Sequence, residues 1–419
     1  MPTRHLTRGS RVIAVVVFAL AAGQLPAGDN WPRFRGENGD GHSDLKGLPT
    51  SFSPGELDWN IELPGFGHGS PIVWEGTLFV TSALGEDNEL QGGVVRFLHC
   101  LEARTGREKW SRIIGTSESH RHVKNSWASS TPATDGERVY VAFADLDNYW
   151  LSAYDFEGNL DWRRNLGPFE SQHGMGVSPI LYKDLVILPN DQDGPSSVMA
   201  FDRRTGRTAW STLRSIERAS YATPLVIEHN GGPPQLICAS GATGISSLDP
   251  DSGRLNWSTG QFGVPPQTRT VSSPVYAGGL IVQSNGGGGK GFYMVAVDPD
   301  LSLAPGGNRI RHFRDKTLPY VPTPIVHGEY LFLWGDAGVV HCVEPASGRE
   351  LWMKRVPGKY SGSPVCIDGK LYIISEEGDV VVIAAEPEFR ELGRSSLGDP
   401  SHSTPAVAQG RLYLRTFHR

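Results

Sequence analysis

Cysteine is scarce. The 419 residues hold four, Cys100, Cys238, Cys342 and Cys366, with no two adjacent and none in a C-x-x-C pair. That excludes a zinc ribbon, a thioredoxin-type redox pair and a C-x-x-C-H haem attachment. Each cysteine lies in an apolar, strand-like run such as V339-V-H-C-V343. There it acts as a small buried hydrophobe, so no structural disulfide is expected. Charge of one sign is lacking too. Thirty-nine Lys and Arg face 45 Asp and Glu, a net charge of -6, with no long like-charge run. A nucleic-acid-binding protein would need a basic stripe. No stretch repeats with a helix or heptad period. The longest apolar run, V12-I-A-V-V-V-F-A-L-A-A22, is shorter than the ~20 residues of a spanning helix. Arg4, Arg8 and Arg11 precede it, and Gly23 and Ala27 follow. This is the pattern of a secretory signal peptide over residues 1–27. The mature chain is therefore expected to be exported, periplasmic or secreted, and soluble without a transmembrane helix. No cysteine stands near the cut to carry a lipid.

What is abundant is turn and ring: 51 Gly, 30 Pro and 11 Trp. They recur in order. The text F201-D-R-R-T-G-R-T-A-W210 returns as L101-E-A-R-T-G-R-E-K-W110, L248-D-P-D-S-G-R-L-N-W257 and V343-E-P-A-S-G-R-E-L-W352, and loosely as Y154-D-F-E-G-N-L-D-W162. A second landmark is Ser or Thr before Pro: Ser70, Thr131, Ser178, Thr223, Ser273, Thr323, Ser363 and Thr404. Between successive pairs lie short apolar strands and tight turns such as D368-G-K370. Pro suits the first residue of a strand, since it lacks the amide a central position needs. Gly supplies the positive φ of the hairpin turns. The acid opening each repeat can accept turn protons. The tryptophans, Trp110, Trp162, Trp210, Trp257 and Trp352, are placed to bury a face against a neighbouring unit.

Each unit reads as a four-stranded antiparallel sheet, and copies must stack to bury both faces. Eight such sheets make an all-β, eight-bladed propeller. It is expected to be one domain over residues 28–419, with blades starting near 71, 132, 179, 224, 274, 324, 364 and 405. The last blade holds only two strands, while E56-L-D-W-N-I-E-L63 near the start is a strand without a blade. Placing residues 57–63, with Trp59, in the final blade closes the ring and removes open edges. Two copies depart from the pattern: R311-H-F313 and E388-F-R-E-L392 stand where the tryptophan is expected.

The acid-x-x-[TS]-G-R-x-x-W repeat resembles the tryptophan-docking motif of quinoprotein dehydrogenases and of the pyrroloquinoline-quinone-like propellers of bacterial outer-membrane assembly proteins. The opening W31-P-R-F-R-G-E-N-G-D-G41 is similar to a segment that precedes such propellers in exported members. The resemblance covers roughly residues 31 to 417. It implies a scaffold role from the assembly-protein branch, or a dehydrogenase using pyrroloquinoline quinone and calcium from the enzyme branch. The chain has no adjacent Cys pair of the enzyme kind, and its Asp and Asn residues do not match a cofactor motif.

Loops entering the inner strands and loops joining second to third strands gather on one face of a propeller. They carry His68, Asn125, Trp127, His173, Tyr221, Arg269, Tyr320, Tyr360 and His402, with Asn190, Asp191, Asp193, Lys290, Asp336, Glu376 and the acids of D87-N-E89. These residues are expected to line a binding funnel for a peptide, partner protein or envelope component; the alternative is that they merely plug the channel. Asp191 and Asp193 have part of a calcium-loop spacing, without the distal Glu. S119-H-R-H122 offers two of the three or four ligands of a zinc site. N285-G-G-G-G-K290 lacks the Ser/Thr and helix of a phosphate loop. No hydrolase triad is legible. A non-catalytic binding role is the leading expectation.

Overall fold

The computed structural model describes residues 30–85, 91–216, 218–241, 243–260, 268–303, 308–315 and 317–419. Residues 1–27, expected to be a signal peptide, and the acids at 87–89 lie outside them. Six sheets of four antiparallel strands, one of five and one of two succeed one another along the chain. They are the blades of an eight-bladed propeller. Blade one runs from inner strand Ile72–Trp74 through Thr77–Leu84 and Gln91–Glu102 to outer strand Glu108–His120. The inner strands of blades two to eight are Ala133–Thr134, Ile180–Tyr182, Leu225–Ile227, Val275–Ala277, Ile325–His327, Val365–Ile367 and Ala406–Ala408. Each begins within two residues of a Ser/Thr-Pro pair.

Those pairs do more than fit a crowded axis. The amide of Ser70 donates to the Thr131 hydroxyl at 3.0 Å, and that of Thr131 to Ser178 at 3.0 Å. Thr223 donates to Ser273, Ser273 to Thr323, Thr323 to Ser363 and Ser363 to Thr404, all at 2.9 to 3.1 Å. Thr404 then donates to Ser70 at 3.1 Å. A residue before proline is held extended, so its amide points sideways instead of into its own sheet. The next blade's hydroxyl meets it. The bond from Thr404 to Ser70 shows that blade eight sits beside blade one.

The outer rim has its own linkage. Trp110 donates its indole N–H to the Phe156 carbonyl of blade two, Trp162 to Arg203 of blade three, Trp210 to Pro250 of blade four and Trp352 to Glu386 of blade seven, at 2.7 to 3.2 Å. Trp257 instead bonds Gln235 of its own blade, and Gln235 donates to the Pro299 carbonyl of blade five. The R311-H-F313 copy has not lost its dock. His312 occupies the ladder position of the tryptophan, opposite Ala296, and its Nε2 meets the Pro345 carbonyl at 2.7 Å. In blade seven the ladder places Gly393 there, opposite Val382. Its missing side chain makes room for the Thr50 carbonyl, 2.1 Å from where a Cβ would lie. Phe389 packs edge-on against Trp352.

The segment at 31–63 is a strap. Trp31 exchanges both backbone bonds with Val73 of blade one, and the Pro32 carbonyl accepts from Thr134 of blade two. The chain then crosses the axis. His42–Ser43 adds a parallel strand to Cys366–Ile367 of blade seven. Past Gly393 and a short 3-10 turn, Pro54–Glu56, it reaches blade eight. Asp58 pairs with Arg411 at 2.7 Å, Leu63 donates to the His418 carbonyl, and Trp59 docks on the Ala103 carbonyl of blade one at 3.1 Å. Residues 57–63 therefore lie along blade eight through these contacts. The strand pairing expected there does not form: these residues have no ladder, and blade eight has two strands where the others have four or five. The core is a series of inter-blade layers, the largest uniting Trp31 and Leu63 with residues of blades one, seven and eight. All four cysteines are free and buried.

Candidate functional site

Along each inner strand, residues before the Ser/Thr girdle face one end of the axis and residues after it face the other. The strap bonds Val73, Thr134 and Cys366, each three places after its girdle residue, so it closes the far end. Phe34 of the strap reaches back into the channel. What remains is a blind funnel of about 710 Å³, lined by all eight girdle residues, Phe34 and the loops upstream. Its size suits a small molecule or a few residues of a polypeptide.

The wall has three clusters. In the first, His68 lies 4.5 Å from His402 and 4.8 Å from Phe417, ring centre to ring centre. Lys124, from the loop into blade two, bonds both oxygens of Glu376 in blade seven at 2.7 and 2.8 Å. Glu376 also accepts from Ser361 at 2.7 Å. In the second, His122 and His173 are 4.4 Å apart, Arg269 meets His173 Nδ1 at 3.2 Å, and the Tyr221 hydroxyl pairs with Ser171 at 2.6 Å. In the third, Asp336 accepts the amides of Tyr320 and Val321, at 2.7 and 3.3 Å.

Eight of the expected residues line the funnel: His68, Asn125, His173, Tyr221, Tyr320, Asp336, Glu376 and His402. Others do not. Trp127 is buried with the Arg121 guanidinium over its ring at 4.6 Å. Tyr360 is fully buried, its hydroxyl on the Pro357 carbonyl. Asn190 is tied to Gln192, and Asp191 faces Arg214 at 3.1 Å inside blade three. Asp193 caps the amides of Gln172 and Ala219, and Arg269 is buried behind His173. Asp191 and Asp193 therefore do not converge as calcium ligands. Lys290 is exposed at a hairpin whose Gly288 and Gly289 reach the funnel. His122, Lys124, Lys359 and Phe34 line it without having been expected. Of these, Lys124 and His122 sit in the same loop as Asn125 and were legible by position. His120 bonds the Gln172 carbonyl, so the S119-H-R-H122 pair is split.

Burial governs the titration here. It pushes His173 down to about 4 and holds His68 and His402 below the ordinary imidazole value, so these rings are neutral. It pushes Asp336 up to about 6, against the two amides that favour its charge. Away from the funnel, burial also brings His99 down to about 4, between the hydroxyls of Ser82 and Ser111, and it lowers His341. Between pH 6.5 and 4 the unfolded chain binds protons at these imidazoles that the fold refuses. Their stabilisation is complete above 6.5 and lost as pH falls through that window. Asp191 and Asp336, both raised to about 6, act in the opposite direction but are fewer. His99 alone is worth roughly 3 kcal/mol on this basis. The urea midpoint is expected to drop steadily from pH 7 to pH 4.5, and His99→Gln to flatten the slope; a midpoint constant over that range would contradict the burial of neutral imidazoles.

A family profile described as outer membrane protein assembly factor BamB matches residues 50–167, 97–302, 317–388 and 336–418. The chain belongs to this BamB family. Among solved structures, BamB from Moraxella catarrhalis superposes with a TM-score of 0.54 at 13% identity, covering 78% of this chain and 92% of that one. Quinohemoprotein alcohol dehydrogenase from Comamonas testosteroni gives 0.63 at 13% identity, covering 92% of this chain and 76% of that one. The computationally designed Ika8 protein gives 0.56 at 10% identity, covering 85% and 95%. At such identities these likenesses establish the fold alone. No curated protein sequence matches the chain. Among the described residues no helix is long and apolar enough to cross a membrane.

The enzyme branch of the fold implies a quinone held with calcium, an ion that takes six to eight oxygen ligands. The described funnel residues do not fit it. Of the acidic oxygens there, both of Glu376 are bonded by Lys124, and Asp336 already accepts two amides. No pair of adjacent cysteines faces the funnel.

Proposed function

We propose that the protein is an exported, non-catalytic binding protein of the cell envelope whose funnel receives a short segment of a partner polypeptide. The observation that carries this is the lining: neutral rings and hydroxyls around a dead-end cavity, with its carboxylates already occupied. Flat rings grip apolar and aromatic side chains at little entropic cost, and His173, Tyr221, His68 and His402 supply them. The girdle hydroxyls and Asn125 can serve backbone amides and carbonyls. The family's description supports an outer-membrane protein, or a protein assembling one, as the partner class. The chain's expected signal peptide supports a periplasmic setting.

The reading is tested with fluorescent peptides copied from membrane-spanning β-strands, followed by anisotropy. Saturable binding is expected, weakened about tenfold by Tyr221→Ala or His402→Ala and unchanged by Lys290→Ala. Binding indifferent to the funnel variants would remove the site. Dye reduction on adding pyrroloquinoline quinone, calcium and an alcohol would replace the reading with an oxidoreductase.

A further inference from the structure

The strap brings a second set of chemically active side chains together, on the closed side of the propeller. His42 comes from the strap's short strand, His327 ends the inner strand of blade six, and Cys366 lies in the inner strand of blade seven. Their donor atoms all lie within 4.8 Å of one another. Among the described residues this is the one triad of His, Cys, Asp or Glu that converges so. The Cys366 sulfur is 3.4 Å from Nδ1 of His327. A tetrahedral zinc with ordinary Zn–S and Zn–N bonds separates its sulfur and nitrogen ligands by roughly 3.6 Å, so this pair is already at ligand spacing. The His42 and His327 rings are stacked, 6.5 Å apart and 18° from parallel. Both rings are half-buried while Cys366 is only 2% exposed. A hydrated ion therefore has a way in, and the thiol is shielded once bound. Asp40 stands 3.6 Å from Nδ1 of His42 and accepts the His42 amide at 3.0 Å. A carboxylate in that place fixes the ring of a metal-bound histidine.

We infer that His42, His327 and Cys366 form a binding site for a zinc-class divalent cation, which fastens the strap to blades six and seven. Two imidazoles and a thiolate suit zinc, not the oxygen-seeking calcium or magnesium. On binding, the thiol proton leaves to solvent, and water completes four-coordination while Asp40 orients the His42 ring. The three ligands come from three separate stretches of chain, so the ion binds only the folded ring. It raises stability by mass action. The site is on the opposite side of the girdle from the funnel and does not depend on the role proposed there.

Cobalt(II) is the probe, added to the purified full chain. One equivalent should produce a near-ultraviolet sulfur-to-cobalt charge-transfer band with strong visible d–d absorption, and zinc should bleach both. Cys366→Ser should abolish the sulfur band, Cys238→Ser should leave it, and His42→Ala or His327→Ala should weaken cobalt binding at least tenfold, by analogy with lost supporting partners. The exposed edge of His42 makes that variant the one least liable to misfold. Zinc should raise the urea midpoint of the parent protein and leave that of His42→Ala unmoved. No sulfur band at saturating cobalt, or a band that survives Cys366→Ser, would overturn the assignment. Binding by the funnel histidines instead would show as cobalt uptake without the sulfur band.

Discussion

Gly253→Ala is expected to cost roughly 2–5 kcal/mol of stability, far more than the same change at Gly279. Both glycines have positive φ, +71° and +77°. An L-residue there costs about 1–2 kcal/mol. The surroundings differ. A Cβ on Gly253 would lie 2.4 Å from the Trp210 ring and 2.7 Å from the Thr212 hydroxyl, whereas nothing stands within 4 Å of one on Gly279. Forcing an extra carbon into a packed contact adds about 1–3 kcal/mol. The ring cannot easily retreat, because its N–H is held by the Pro250 carbonyl and its face is buried between blades three and four. The double variant with Trp210→Ala separates the two costs. Without the ring, Gly253→Ala should keep the backbone strain and the crowding at Thr212 and lose the ring's share, a coupling of about 1–3 kcal/mol. Denaturation midpoints of the four proteins give the cycle. Equal losses at Gly253 and Gly279 would mean that glycine is kept for the turn alone, and that the docking contact does not hold the blades.

That distinction marks where the sequence could be read and where it could not. The repeat was legible because one physical demand recurs around the ring: proline at a strand start, glycine in a turn, an acid on the turn's hydroxyls. Asp202 accepts the Thr205 hydroxyl and amide, and Glu102 the Thr105 hydroxyl, as the motif implies. The girdle was not legible, although all its members were in view, because a hydroxyl's partner lies in the next blade. His312 looked like a lost ring because only the ladder, with its bulge at Ala296 and Val297, shows that it falls on the docking position. Trp127 and Tyr360 were misplaced for a local reason. Two places apart, Asn125 and Trp127 would share a face in extended chain, but the loop turns at 123–124 and 127–128, so Asn125 faces the funnel and Trp127 the protein. The strap's crossing from blade one to blade seven left no trace, although its end beside blade eight was expected. A parallel pairing of His42 with Cys366 joins residues near opposite ends of the chain, and no local propensity encodes it.

Removing residues 30–63 should abolish cooperative folding. The deletion strips Trp31 and Leu63 from the layer that joins blades one, seven and eight. Burying each such side chain is worth roughly 1.5–3 kcal/mol. It also leaves the amides of Val73, Thr134 and Cys366 without the carbonyls of Trp31, Pro32 and Gly41, and a buried donor without a partner costs about 1–3 kcal/mol. Arg411–Tyr413 of blade eight would lose the cover of Asp58, and Trp59 would no longer dock on blade one. Those losses together rival the ~5–15 kcal/mol that holds an ordinary domain folded. A shorter deletion, residues 30–47, separates floor from closure. It removes Phe34 and the crossing but keeps Trp59, Asp58 and Leu63 in blade eight. That protein also loses Trp31 and the carbonyls of Trp31, Pro32 and Gly41, so it should be only marginally folded, with a much lower urea midpoint and an axial channel open at both ends. Near-ultraviolet circular dichroism and urea titration read both variants. If the longer deletion unfolds at the parental midpoint, the Thr404–Ser70 link of the girdle suffices to close the ring and the strap only plugs it.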